Sequence, residues 1–204
     1  MNFLRLTSAA VAAYRRRYPQ YWLDMLVDRI LSSRPVGSGP LVLGQVLAVK
    51  RHAYLDLELV VPGLNIVTND GDLYYAQSIA GETPTDDFDG ASSGLRLGSS
   101  NTAPTKTDTD VTTFLSGSEH ALDAGYEKTN DDDADNTGAA VDSVTWRYSY
   151  STSEGNVSNI NEGAIVDDRT TPTAALTHFL FAAAFSKTSS DTLKVFVNHN
   201  IIGV

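Results

Sequence analysis

Hydrophobic and polar residues alternate along much of the chain, and the alternation predicts β-strands. Large apolar side chains occupy every second position of residues 144–150, residues 193–197 repeat the pattern, and residues 176–185 are almost continuously apolar. A period of two residues places alternate side chains on opposite faces of a strand. Residues 41–50 and 54–61 form another such pair, which predicts a β-hairpin. The sequence therefore predicts a mainly β fold.

Shorter elements are predicted between these strands. Pro62 and Gly63 predict a turn, and Thr68 or Asn69 is a suitable cap for a short helix that ends by Gly81. Further short strands are predicted at residues 95–97, 112–115 and 164–166. Residues 128–142 are polar and lack large apolar side chains, which predicts a surface loop or a partly disordered segment.

The first part of the chain predicts helix rather than strand. An alanine-rich segment is followed at Pro19 by a second segment, in which Trp22, Leu26 and Ile30 fall on one helical face. A broad apolar stripe of this kind needs a partner. The partner is either the rest of the same domain or another subunit.

A break follows the helical segment, because residues 34–40 contain two prolines and two glycines. We place a boundary here, with a helical arm or anchor at residues 1–36 and a β body at residues 37–204. Several strands with turn-rich spacing and little helix between them favour an antiparallel β-sandwich, jelly-roll-like, over a βαβ fold.

Charge is distributed unevenly along the chain, whose formal net charge is -10. Residues 1–60 are basic and include Arg15, Arg16 and Arg17, whereas the remainder is strongly acidic. The basic segment is suited to contact a neighbouring copy or an acidic partner. Three arginines beside an acidic body carry too little positive charge to predict nucleic-acid binding. No apolar run approaches the roughly 18 residues of a membrane span, so we expect a soluble protein without membrane contact.

An acidic run is the first candidate for chemistry. Asp131, Asp133, Asp135 and Asp142 occupy loop offsets that resemble those of a calcium loop, which makes them a candidate metal site. Asn136 stands where the sharp turn of such a loop requires glycine, and the flanking sequence does not predict a helix pair. The default interpretation is therefore a solvated acidic loop without a metal.

Catalytic motifs are absent from the sequence. The four histidines do not fall in a metal-ligand spacing or beside a nucleophile motif, and the chain contains no cysteine. Trp146, Tyr148 and Tyr150 share one strand face, which suits either a carbohydrate-stacking platform or a core face, and we favour the core. The sequence predicts a non-enzymatic protein without a cofactor.

Three segments carry a resemblance. Residues 65–77 end in Asp-Gly-Asp-Leu-Tyr-Tyr-Ala-Gln, residues 94–108 read Gly-Leu-Arg-Leu-Gly-Ser-Ser-Asn-Thr-Ala-Pro-Thr-Lys-Thr-Asp, and residues 187–197 end in Asp-Thr-Leu-Lys-Val-Phe-Val. In this order they resemble the small β-sandwich virion proteins of tailed bacteriophages. The likeness covers residues 65–204, and its motifs are common to capsid-decorating, neck and tail-fibre proteins.

The resemblance implies a virion structural protein that is assembled in the host cytoplasm. The leading interpretation is a capsid cement or decoration subunit that stabilises the particle through its N-terminal arm, with the major capsid protein as partner. A neck or tail-fibre component that binds tail proteins is the alternative, and a carbohydrate-binding module is a third. A homo-oligomer such as a trimer is expected, with the arm residues as its interface: Arg15, Arg16, Arg17, Trp22, Leu26 and Ile30.

Overall fold

A computed structural model describes residues 41–55, 58–139 and 142–202 of the chain. Residues Val42–Ile201 form one compact unit. The described ranges contain one helix, α1 (Asn69–Ala80), and eight strands: β1 (Leu41–His52), β2 (Glu58–Val67), β3 (Gly94–Gly98), β4 (Lys128–Thr129), β5 (Ser143–Tyr150), β6 (Ile160–Val166), β7 (Ala175–Phe185) and β8 (Asp191–Ile202). The predicted arm, its interface residues and the boundary after residue 36 lie outside the described residues.

All eight described strands belong to one antiparallel sheet, in the order β3-β6-β7-β2-β1-β8-β5-β4, which curls into a half-barrel. The predicted mainly β, antiparallel class is confirmed. The jelly-roll-like sandwich requires two sheets packed face to face, whereas these strands are hydrogen-bonded into one. Alternation identifies the apolar face of each strand. It does not reveal whether that face meets a second sheet or the far half of the same curled sheet.

The first two strands form the predicted hairpin, with Lys50 paired to Leu59. The predicted turn at Pro62 and Gly63 is wrong, because β2 runs through both residues opposite β1. Pairing between β2 and β7 begins only at Gly63. Pro62 therefore lies just outside that ladder, in an edge-like position where a strand tolerates proline.

Helix α1 lies on the concave side of the sheet and has the predicted caps. The Thr68 hydroxyl accepts a hydrogen bond from the Gly71 N–H at 3.1 Å, and Gly81 ends the helix with φ of 74°. Tyr74 and Tyr75 are its buried side chains that pack in the core. These two aromatic rings are therefore the part of α1 that fills the half-barrel.

The main core lies between the concave face and α1. Leu176 and Phe179 both point into it, although their spacing does not fit simple alternation. The pairing of β6 with β7 shifts between Ile165 and Val166, and this bulge returns the side chains to the concave face. The largest fully buried side chains include Trp146, Tyr148, Phe88, Phe179, Phe181, Leu95, Leu97 and Ile160.

One segment, residues 113–129, hydrogen-bonds to both edges of the sheet. At the first edge the N–H and C=O groups of Leu95 and His120 pair reciprocally at 2.8 Å. At the other edge the Asp123 N–H donates to the Arg147 carbonyl at 3.0 Å, and β4 then pairs with β5. The predicted strand at residues 112–115 is wrong, since only an isolated bridge between Gly98 and Phe114 forms there.

Candidate interaction surface and its internal charge clusters

The acidic loop, residues 130–139, lies against the outer face of β5, β8 and β1. Asp131 is buried, and its carboxylate accepts hydrogen bonds from the Tyr126 hydroxyl at 2.8 Å and the Asn136 amide at 3.0 Å. Asn136 and Asn198 exchange two amide hydrogen bonds of 2.8 and 2.9 Å. The expectation of a solvated loop is therefore wrong for this part of the segment.

Two further aspartates of the loop pair with cations from the sheet. Asp133 contacts Arg147 at 2.8 Å and Lys194 at 3.0 Å. Asp135 pairs with Arg51 and with Lys194, and the hydrogen bonds from Arg51 lower the pKa of the Asp135 carboxyl to about 2. The negative charges of this loop are thus compensated by the chain itself.

This arrangement differs from the candidate calcium site. Asp131, Asp133 and Asp135 face hydroxyl, amide and cationic donors of the chain, while Asp142 is exposed. In the described part of the chain, no group of three or more acidic or histidine side chains is arranged to hold a metal ion. The ion pairs of Asp133 and Asp135 with Arg51, Arg147 and Lys194 hold the loop on the sheet, and we call them the electrostatic clamp.

A second charge cluster lies on the outer face of β6 and β7. Glu162 is fully buried, and its carboxylate accepts backbone N–H groups from Ser100, Thr112 and Thr113 at 2.9–3.0 Å. Burial opposes its ionisation, but these hydrogen bonds and the one from His178 lower the pKa of the Glu162 carboxyl. The polar loop that follows β3 is therefore anchored on one buried carboxylate.

Arg96 fastens the same loop from β3. Its guanidinium lies 3.7 Å from the centre of the Phe114 ring, 3.1 Å from the Asp110 carboxylate and 2.9 Å from the Arg169 carbonyl. Sequence reasoning missed Arg96, Glu162 and His178 as a group. Charged residues within apolar strands were the available signal, because such residues are rarely buried without partners.

A neutral hydrogen-bond network in the core joins α1 to β2, β5 and β8. His199 Nδ1 lies 2.6 Å from the Tyr75 hydroxyl, and its Nε2 lies 2.7 Å from the Asn65 amide nitrogen. The Trp146 indole N–H donates to the same Tyr75 hydroxyl. Burial lowers the pKa of His199 to about 3, so this imidazole is neutral near pH 7.

The aromatic set on β5 belongs to the core. Trp146, Tyr148 and Tyr150 are at most 2% exposed. This confirms the core interpretation of their spacing. A carbohydrate therefore cannot reach these three rings to stack on them.

Three of the exposed large apolar side chains lie at the tip of the β1–β2 hairpin. We call Tyr54, Leu55 and Leu59 the tip patch, and their exposed fractions are 81%, 55% and 42%. Val61 of β2 is buried, whereas Leu59, two residues earlier in the strand, is exposed.

A shallow groove of about 350 Å³ runs along the outer face, lined partly by Val49, Arg51, Ser149 and Lys194. Both of its cations already pair with Asp135. The groove therefore combines paired charges with neutral side chains.

Comparison of the chain with protein-family models, curated proteins and solved structures found no match. Within the described ranges, no helix is long and apolar enough to span a membrane.

Proposed function

We propose that the chain is a non-enzymatic structural subunit of a tailed-phage virion, most specifically a capsid cement or decoration protein. The observation that carries the proposal is the contrast between interior and surface. Both charge clusters and the core histidine are occupied by partners within the chain. Three of the six exposed large apolar side chains in the described part lie together in the tip patch.

This contrast suits a subunit that works by contact. A decoration protein needs a body that holds its shape on the particle and a small protruding surface that meets neighbouring subunits. The tip patch supplies such a surface. The major capsid protein is the proposed partner, and the predicted basic arm supplies the second attachment in an oligomer of the chain.

The alternative within the same class is a neck or tail-fibre component, which needs the same kind of body and differs in copy number. The carbohydrate-binding alternative is not retained, because the aromatic side chains on which it rested, Trp146, Tyr148 and Tyr150, are buried.

Electron microscopy with a labelled antibody against the body tests the proposal. Particles are purified from cells that express the gene and are labelled on the grid. Decoration predicts on the order of hundreds of labels spread over the capsid, whereas a neck or fibre component predicts about twelve or fewer at one vertex. Absence of label from every particle would refute a virion role of either kind.

A further inference from the structure

The outer loop, residues 99–114, is held on β6 and β7 by a histidine between two carboxylates. His178 is 1% exposed, and its Nδ1 lies 2.6 Å from Asp108 of the loop. Its Nε2 lies 2.9 Å from the buried Glu162 of β6. The histidine therefore joins the loop to the sheet through both ring nitrogens.

Two short contacts to carboxylates define the protonation state of the ring. A carboxylate only accepts hydrogen bonds, so each ring nitrogen must carry a hydrogen to make a favourable contact. A neutral imidazole carries one hydrogen, and the second contact would then place a nitrogen lone pair against a carboxylate oxygen. We propose that protonated His178 is a latch for the Asp108 segment of the outer loop, and that the latch opens when alkaline pH removes the proton.

The other charged groups around His178 determine how much of the outer loop is released. Glu162 keeps its backbone donors when the histidine loses a proton, and Arg96 still pairs with Asp110 because a guanidinium does not titrate in this range. Asp108 keeps only the hydroxyl and N–H of Thr105, which belong to the loop itself. Release is therefore confined to the part of the loop around Asp108.

The direction of the pH effect follows from the pKa shifts. Burial opposes the charge of His178, but hydrogen bonds to Glu162 and Asp108 raise its pKa above the ordinary 6.5. A raised folded-state pKa contributes stability that is complete below about 6.5 and is lost as the pH rises through the folded value. The pKa of the Asp108 carboxyl is lowered, so its contribution is lost only as the pH falls through that lowered value. The latch is closed between these two limits.

Trypsin cleavage after Lys106 measures the opening, because Lys106 lies two residues from Asp108 in the loop. The assay uses an Asp72→Asn background, because Asp72 of α1 otherwise holds the Lys106 side chain at 2.6 Å independently of His178. The rate is followed from about pH 7 to about pH 10 and divided by the rate on a short peptide of the same sequence, while circular dichroism monitors the fold. We expect the corrected rate to rise by about tenfold or more, as for loss of a charged hydrogen bond. A flat corrected rate would overturn the proposal.

Variants separate the latch from other effects. His178→Gln should be cleaved rapidly at every pH, whereas His120→Gln, a control at a partly exposed histidine, should keep the wild-type profile. Asp108→Asn should remove the alkaline rise, because the asparagine amide can donate a hydrogen bond to the unprotonated Nδ1 and hold the loop without the proton.

If His178→Gln does not fold, nitrogen-15 NMR of His178 in the wild-type protein tests the proposal, because it reports the protonation of both ring nitrogens. Two protonated ring nitrogens at neutral pH, with loss of one as Lys106 becomes cleavable, support the latch. A single protonated nitrogen at neutral pH would overturn it whatever the cleavage data show.

Discussion

Replacement of Asp133 by asparagine tests the electrostatic clamp formed by the acidic loop. The Asp133 side chain is 12% exposed and contacts Arg147 and Lys194. Its carboxylate also accepts the Asp135 N–H at 3.0 Å. Asparagine has nearly the same shape and keeps an oxygen for that N–H. Asp133→Asn therefore removes charge while it leaves packing and the loop turn in place.

The expected magnitude follows from the contacts that are lost. A hydrogen bond to a charged group contributes about 1.5–3 kcal/mol. The bonds that Arg147 and Lys194 donate to Oδ2 would be lost, because asparagine with its oxygen on the Asp135 N–H places an amide nitrogen there. Arg147 retains Asp123 and Lys194 retains Asp135, so neither cation is left without a partner. We expect a loss of about 1.5–3 kcal/mol in the free energy of unfolding. For a chain of this size the melting temperature should fall by about 3–12 °C.

Thermal unfolding followed by circular dichroism measures the change, and Asp132→Asn is the matched control. Asp132 is the preceding residue, its side chain is 86% exposed, and its partner is Lys128. Because an exposed ion pair contributes little, the same change in net charge should leave the melting temperature nearly unaltered. Equal melting temperatures for the two variants would refute the clamp. A melting temperature that rises with added calcium in the wild type, but not in Asp133→Asn, would instead support the calcium interpretation.

Three further predictions concern the helix, the core and the tip patch. Thr68→Ala removes the N-cap of α1 and should lower the free energy of unfolding by about 1–2 kcal/mol in urea titrations. Phe179→Ala should cost about 3–5 kcal/mol in the same assay, because the ring is fully buried. Tyr54→Ser combined with Leu55→Ser should leave the urea midpoint unchanged while it weakens co-sedimentation with purified particles. Unaltered co-sedimentation would exclude the tip patch as a contact.

Local signals in the sequence predicted the elements that depend on neighbours along the chain. The alternation of residues 144–150 identified β5 and its core face, and the cap residue Thr68 identified the start of α1. Pro62 was misleading, because a proline that predicts a turn is also tolerated at the point where one strand loses a partner. The residues around Pro62 do not indicate how far along β2 the neighbouring strand β7 pairs.

The charge clusters depend on contacts between distant parts of the chain. Asp108 is 70 residues from His178, and Asp135 is 84 residues from Arg51. From sequence alone the acidic run suggested solvent or a metal, since the cations that compensate it come from three different strands. Only the order of the strands in the sheet brings these residues together.

The segment that reaches both edges of the sheet also constrains how the protein folds. Residues 113–129 lie between β3 and β5 in the chain, yet those strands are separated by β6, β7, β2, β1 and β8 in the sheet. The segment can bind β3 and β5 at the same time only when the sheet between them is assembled and curled. Folding should therefore be slow, as for other proteins dominated by long-range pairings.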